Sequence, residues 1–123
     1  MTTASTSPIS PVPPAHRGGL TAAQREMFRT MLEEQRRFRV AQLAADPPAS
    51  LPVPRHETAA DREVGTAILE AARVALRDID AALTRMAAGS YGKCTECGAA
   101  QRLERLEILP QVALCMDCQR ASQ

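Results

Sequence analysis

Cys94-Thr-Glu-Cys97 and Cys115-Met-Asp-Cys118 form two Cys-x-x-Cys pairs, and seventeen residues separate them. Each pair makes a tight knuckle that aims two sulfur atoms at one point, and this spacing is typical of a ribbon-type site for a single tetrahedral Zn²⁺. The intervening residues 98–114 are long enough for a hairpin that returns the second pair to the first. Because four thiolates leave no coordination position open, the sequence predicts one structural Zn²⁺ bound by all four cysteines.

Two other uses of the cysteines compete with this prediction: thioredoxin-like redox pairs, or two disulfides. No βαβ pattern surrounds either pair, and the N-terminus lacks the basic and apolar regions of an export signal. Disulfides persist mainly in oxidising compartments. We therefore favour zinc and expect the protein in the reducing cytoplasm.

Composition and charge narrow the class of protein further. The chain has 123 residues, of which 45% are hydrophobic, yet it contains no Trp, two Phe and one Tyr. This favours one domain of thin helical packing that a metal site reinforces. The net charge of +1 counts against direct nucleic-acid binding, and no apolar run approaches the roughly 18 residues needed to span a bilayer.

The first part of the chain is expected to form a tail and one long helix. Residues 1–19 are rich in Ser, Thr and Pro, which is typical of a disordered tail. Thr21 and Gln24 fit a capping box at the start of a helix that ends before Asp46-Pro47-Pro48. Phe28, Met31 and Phe38 follow a three-and-four spacing that predicts the seam of this helix, with Gln24, Gln35 and Gln42 at the remaining seam positions and Met27, Leu32 and Leu43 beside it. Residues 46–57 form a Pro-rich connector.

Thr58 and Asp61 resemble a second capping signal, and a second helix is predicted from Thr58 to Ala88, with Gly89 as the residue that ends it. Its apolar positions alternate steps of three and four: Val64, Ile68, Ala72, Ala75, Ile79, Ala82 and Met86. This is coiled-coil spacing, and two such helices with a short connector favour an antiparallel hairpin over an ordinary bundle, for which the chain has too few helices. The expected fold is mostly α: a coiled-coil hairpin over 20–88 with its tip at 46–57, and a C-terminal four-cysteine zinc-finger module, a zinc ribbon, over 89–123.

The residues around the cysteines resemble the DksA/TraR family of bacterial regulators that bind RNA polymerase. The resemblance rests on Tyr91-Gly92 before the first cysteine and on Arg105-Leu106, Pro110 and Leu114 before the third. It implies that the zinc finger lies against the outside of RNA polymerase while the coiled coil enters the secondary channel. Such proteins regulate transcription without sequence-specific DNA binding, so the resemblance implies a protein-binding regulator and not an enzyme.

The predicted tip departs from the family pattern. An Asp-Pro-x-Asp-x-Ala element of the best-characterised members aligns with Leu51-Pro52-Val53-Pro54-Arg55-His56. Leu51 and Pro54 therefore stand where relatives have carboxylates, and His56 stands where they have alanine. Leu109 and Gln119 replace basic residues that alarmone-responsive members tend to carry. The six tip residues remain candidates for partner binding, whereas the departures count against alarmone coupling.

Other charged residues offer weaker signals. His16 and His56 have no cluster of partner ligands and are expected to be solvated. An arginine face on the first helix is a candidate docking surface, although helix charges are commonly solvated: Arg25, Arg29 and Arg36, with Arg37 and Arg39 beside them. Nothing in the sequence indicates catalysis. Besides polymerase binding, two hypotheses stay open: a zinc-ribbon adaptor with the same scaffold and a different protein partner, and nucleic-acid binding by the ribbon.

Overall fold

The computed structural model describes residues 19–45 and 58–122 of the chain. Four helices lie in these ranges: α1 (Ala22–Ala44), α2 (Ala59–Ala88), α3 (Leu103–Ile108) and α4 (Met116–Ala121). The expected fold class, mostly α with a helix pair and clustered cysteines, is confirmed. Residues 1–18 of the predicted tail and the tip residues 46–57 lie outside the described residues. No helix in the described ranges has the length and apolarity that a bilayer crossing requires.

Both predicted capping boxes are present. At the start of α1, Thr21 Oγ1 accepts from the Gln24 N–H at 3.0 Å, and Gln24 Oε1 accepts from the Thr21 N–H at 2.9 Å. Thr58 and Asp61 make the same pair of bonds before α2, at 3.1 and 2.9 Å. Gly89 ends α2 with a φ of 84°, which glycine adopts without the steric cost that a Cβ would add. Local sequence signals therefore set three of the four ends of the long helices.

The two long helices run antiparallel. Phe28, in the first part of α1, lies beside Tyr91, which follows α2, and their ring centroids are 6.0 Å apart. Farther along α1, Arg36 Nε donates to Asp80 Oδ1 at 2.6 Å. Later residues of α1 therefore contact earlier residues of α2, as antiparallel helices do. Because both partners of this ion pair are about half exposed (47% each), it contributes no more than about 1 kcal/mol and serves mainly to mark the register.

This register explains why the predicted seam is buried over only part of its length. With Arg36 opposite Asp80, the last turn of α1 falls near Ala72, and the earlier turns of α2 extend beyond it. Ala72 is accordingly fully buried, whereas Val64 and Ile68 are 58% and 51% exposed. The helical periodicity alone predicted that all three residues lie in the seam.

The buried side of α1 differs from the predicted seam at Phe38. Phe28 and Leu32 are fully buried, but Phe38 is 62% exposed and lies on a flank of the hairpin. Half-buried Gln35 and Arg39 occupy the positions that continue the Phe28–Leu32 side of the helix. The expectation that Phe38 packs in the seam is therefore wrong, because a helix buries one stripe and that stripe follows Leu32.

The hydrophobic core joins the base of the hairpin to the cysteine-containing module. Tyr91 and Leu106 come from that module, and both are buried in the cluster with the long helices. Within the described residues, the buried members of this cluster are Leu20, Phe28, Leu32, Ile79, Ala82, Met86, Tyr91 and Leu106. In place of a β-hairpin, the segment between the cysteine pairs contains α3, and one isolated bridge pairs Lys93 with Ala100 within the described residues.

Candidate metal centre

The first cysteine pair lies in a knuckle closed by backbone hydrogen bonds. Lys93 and Ala100 form the bridge at its base, and the Cys94 N–H donates to the Ala99 carbonyl at 2.8 Å. The Gly98 N–H donates back to the Cys94 carbonyl at 3.0 Å, and Gly98 has a φ of 78°, a conformation that favours glycine. These bonds turn the chain so that both sulfur atoms of the pair point the same way.

The second pair lies at the start of a helix. Cys115 is the N-cap of α4, and its sulfur accepts from the Cys118 N–H at 3.5 Å. The Thr95 N–H donates to the Ala113 carbonyl at 2.9 Å and so ties the first knuckle to the chain just before the second. Each pair thus has its own local support, and one backbone bond fixes the two against each other.

The four sulfur atoms have the spacing of a single tetrahedral site. All four Sγ atoms lie within 4.8 Å of one another. Zn–S bonds of about 2.3 Å in tetrahedral geometry place neighbouring sulfurs about 3.8 Å apart, and the Sγ atoms of Cys97 and Cys115 are 3.8 Å apart. None of the four is in a disulfide. The donor set therefore fits one structural metal ion with four thiolate ligands.

Backbone donors favour the thiolate form of one of the four cysteines, Cys94. The pKa of Cys94 is lowered to about 6 because the N–H groups of Cys97, Cys115 and Glu96 point at its sulfur. The pKa of Cys118 is raised to about 12 because its sulfur shares hydrogen bonds with those of Cys115 and Cys94. Without a cation, four clustered sulfurs cannot all be ionised, whereas a bound Zn²⁺ compensates their charges.

The module is anchored to the hairpin by polar contacts as well as by the core. The Tyr91 hydroxyl donates to the Pro110 carbonyl at 2.7 Å in a buried position, and Arg85 Nη2 of α2 donates to the Val112 carbonyl at 3.2 Å. Burial raises the pKa of Tyr91 above its ordinary value, so the phenol stays protonated and remains a donor. The metal site is therefore held at the base of the rod, not on a free tether.

The residues that carried the family resemblance have defined structural tasks. Leu106 is fully buried in the core, and Pro110 supplies the carbonyl that Tyr91 binds. Arg105 Nη2 donates to the Leu114 carbonyl at 3.3 Å and thereby links α3 to the residue before Cys115. These residues therefore position the second knuckle against the core.

The predicted arginine face is partly engaged within the chain. Arg36 pairs with Asp80, and Arg25 Nη1 donates to the Leu20 carbonyl at 2.7 Å. Arg29 lies 3.6 Å from Glu26, and the Arg39 guanidinium bonds Gln42 and lies 5.5 Å from the Phe38 ring centre. The candidate tip residues Leu51, Pro52, Val53, Pro54, Arg55 and His56 lie outside the described residues, as does His16.

Sequence reasoning missed two residues at the junction. Gln101 is 1% exposed, although neither amide atom has a hydrogen-bond partner within the described residues. Arg85 lies in the last turn of α2, and burial lowers its pKa. No pattern distinguished these residues from their neighbours, because their burial depends on where the module folds against the hairpin.

The fold and the site define a four-cysteine zinc-finger protein in which the finger sits at the base of a long helical hairpin. Residues 89–123 match the family model for the prokaryotic dksA/traR C4-type zinc finger. The structure is similar to transcription factor DksA2 from Pseudomonas aeruginosa, with 30% identity and a TM-score of 0.65, over 82% of this chain and 84% of that one. It is also similar to the DnaK suppressor protein from Agrobacterium tumefaciens C58, with 27% identity and a TM-score of 0.60, over 84% of this chain and 97% of that one. No curated protein matches the chain significantly.

The chain belongs to the DksA/TraR family. The finding extends beyond the zinc finger, because the similarity to DksA2 covers most of both chains, including the helical hairpin. The predicted resemblance is thereby confirmed, and so is a cofactor of one structural zinc ion in a C4-type finger.

Proposed function

We propose that this protein is a zinc-stabilised bacterial transcription regulator that binds RNA polymerase at its secondary channel through the helical hairpin. The observation that carries the proposal is the similarity, at 30% identity over 84% of that chain, to a solved protein described as a transcription factor. In this proposal Cys94, Cys97, Cys115 and Cys118 are the four zinc ligands. The protein acts by binding another protein, without catalysis and without sequence-specific DNA contacts, and works in the cytoplasm beside the polymerase.

The arrangement of the described residues supports this role physically. A narrow channel requires a slender rod, and an antiparallel helix pair about 10 Å wider than a single helix is such a rod. The rod also requires a rigid base, which the shared core and the Arg85–Val112 contact provide. Charges on the described helices are of mixed sign, which suits a protein surface better than a nucleic-acid backbone.

Site-specific photo-crosslinking to purified core RNA polymerase tests the proposal. A photoreactive residue replacing Val53 at the tip should crosslink to polymerase segments that line the secondary channel. The matched control replaces exposed Glu107 in α3, at the base, and should crosslink only to the outer surface. If the tip probe crosslinks to the outer surface or to nothing while the protein is bound, the insertion model is wrong.

A second candidate function follows from the tip sequence. Leu51 and Pro54 cannot supply the carboxylates that relatives carry there, so the scaffold could serve as an adaptor for a different protein. A direct binding measurement with core polymerase separates the two functions. Absence of binding at micromolar concentrations, by a chain shown to contain zinc, would support the adaptor.

A further inference from the structure

A groove on one flank of the molecule is lined in part by exposed apolar side chains. It runs between α1 and the zinc-finger module and encloses a cavity of about 470 Å³. Its apolar lining comes from Met31 and Phe38 of α1, Ile79 of α2 and Ile108 of α3. Phe38 and Ile108 are 62% and 76% exposed, high values for two large apolar residues that line the same groove.

The groove also holds unsatisfied hydrogen-bonding capacity. Gln111 Oε1 is buried in its wall and accepts no hydrogen bond within the described residues. Gln35 lines the same groove and offers a second amide. Apolar side chains with amides between them suit an extended peptide, whose backbone N–H and C=O groups can pair with glutamine side chains.

The chain itself contains a segment of matching pattern, Pro8-Ile-Ser-Pro11-Val-Pro-Pro14. Polyproline II helix has three residues per turn, so residues three apart lie on the same edge. Pro8, Pro11 and Pro14 then form one edge, and Ile9 and Val12 form the adjacent edge. In this conformation the segment has a continuous apolar face, with the Ser10 N–H available to an acceptor.

The length of the intervening chain allows the segment to reach the groove. Leu20 is buried in the core at the base of the hairpin, and the Arg25 guanidinium holds its carbonyl. Residues 8–14 precede Leu20 by six to twelve positions, which in polyproline II spans roughly 19–37 Å at about 3.1 Å per residue. Met31 and Phe38 follow it by eleven and eighteen positions, or roughly 17–27 Å along the helix at about 1.5 Å per residue.

The chain can reverse direction at Gly19, so that the residues before it run back alongside α1. Gly19 has a φ of 96°, and a Cβ there would meet no neighbouring atom, so the glycine is needed for its backbone conformation and not for space. Residues 1–19 contain no Asp or Glu, so the segment meets Glu34 at the rim of the groove without like-charge repulsion.

We propose that residues 8–14 of this chain dock in polyproline II conformation into the groove formed by Met31, Gln35, Phe38, Ile108 and Gln111. The docking is intramolecular and does not depend on which protein the hairpin binds. A tether of this length gives an effective concentration of about 1 mM, so even an intrinsic Kd near 0.1 mM keeps the segment docked about nine-tenths of the time. The docked segment covers Phe38 and Ile108.

Methyl NMR of the zinc-loaded full chain, labelled at methionine, tests this proposal. The chain has five methionines, of which Met31 lines the groove while Met86 lies in the core and Met116 lies outside the groove. The variant Ile9→Ser with Val12→Ser preserves length and prolines, and should lower the docked-to-free ratio at least about tenfold. The Met31 methyl resonance should shift, while those of Met86 and Met116 stay in place.

The control for the tail is Thr2→Ala with Thr3→Ala, which should leave Met31 unchanged. An unchanged Met31 resonance in the Ile9/Val12 variant would overturn the proposal. The Met31 resonance of the unmodified protein should not depend on protein concentration. If dilution of the unmodified protein moves this resonance to its position in the Ile9/Val12 variant, the groove is occupied by a second copy of the chain, which also contradicts intramolecular docking.

A variant on the groove side gives an independent readout. Phe38→Ala should reduce the ¹⁵N heteronuclear NOE values of Ile9 and Val12 to those of Thr3, because the docked state is lost. Val40→Ala is the matched control, since Val40 is 41% exposed and is not part of the groove lining. Equally low NOE values in the unmodified chain and in both variants would refute docking.

Discussion

Replacement of Leu106 by alanine tests whether the zinc finger and the hairpin fold as one unit. Leu106 belongs to α3, is fully buried, and packs in the same cluster as Phe28, Leu32 and Ile79 of the long helices. Buried Leu→Ala changes cost about 2–5 kcal/mol through lost burial and the remaining cavity. Since the metal knuckles hold both ends of the segment that carries α3, the site cannot collapse fully, and we expect a loss of about 3 kcal/mol.

That loss is a large part of the total stability of a domain this size, which is typically about 5–15 kcal/mol. With an m-value of about 1.5 kcal/mol/M, the urea midpoint should fall by about 2 M. Unfolding is followed by two probes in the same sample: helical circular dichroism, which reports mainly α1 and α2, and metal release to a chelating dye. Both midpoints should move together, because one core serves both parts.

Glu107→Ala is the control for this experiment. Glu107 is the next residue of the same short helix, but it is exposed and lies outside the core cluster, so its effect on the free energy of unfolding should stay within about 0.5 kcal/mol. A Leu106→Ala protein that releases its metal earlier but keeps the helical transition of the unmodified chain would refute the shared core. The zinc finger would then be a separately folding attachment.

Three other predictions concern the metal, the junction and the tip. Cys115→Ser should abolish stoichiometric zinc binding and lower the helical circular-dichroism signal of the protein. X-ray absorption of the unmodified protein should show four sulfur atoms at about 2.3 Å from zinc, and a nitrogen or oxygen ligand would contradict the site. Tyr91 is the single tyrosine of the chain, and burial raises its pKa above the ordinary 10.0. The folded protein should therefore show no phenolate absorbance at pH 10 and should lose stability as the pH rises beyond that value. Titration of the phenol at its ordinary pKa would place the ring in solvent. The triple variant Leu51→Asp, Pro54→Asp, His56→Ala should inhibit promoters controlled by acidic-tip relatives more strongly than the unmodified chain, with a smaller gain in polymerase binding. In vitro transcription at equal polymerase occupancy compares the two proteins. Full inhibition by the unmodified chain would show that the tip carboxylates are not required.

Local features of the fold were predictable from the sequence because their causes are local. Thr21 with Gln24 and Thr58 with Asp61 satisfy backbone donors within one turn, so the helix starts can be read without knowing what the helices pack against. Gly89 ends α2 for a reason equally confined to its own backbone. The same holds for each cysteine pair, since a Cys-x-x-Cys turn places two sulfurs together by itself.

The burial of individual apolar residues was less predictable. Periodicity assigned Phe38 to the seam and treated Val64 and Ile68 like Ala72, yet only Ala72 is buried. What a helix buries depends on its rotation against its partner and on how far the partner extends, and neither quantity is contained in the spacing of apolar residues. The correct part of the pattern is at the base, where Ile79, Ala82 and Met86 meet the zinc finger.

The sequence by itself determined the ends of the two long helices, the two Cys-x-x-Cys turns and the family, because each of these depends on residues close together in the chain. The tertiary structure alone decided that Tyr91 and Leu106 enter the core of the hairpin, that Arg85 anchors the loop at Val112, and that Phe38 faces a groove. The physical reason is that these contacts join distant segments. They follow from the angle and register at which the finger packs on the helices, which only the complete folded chain sets.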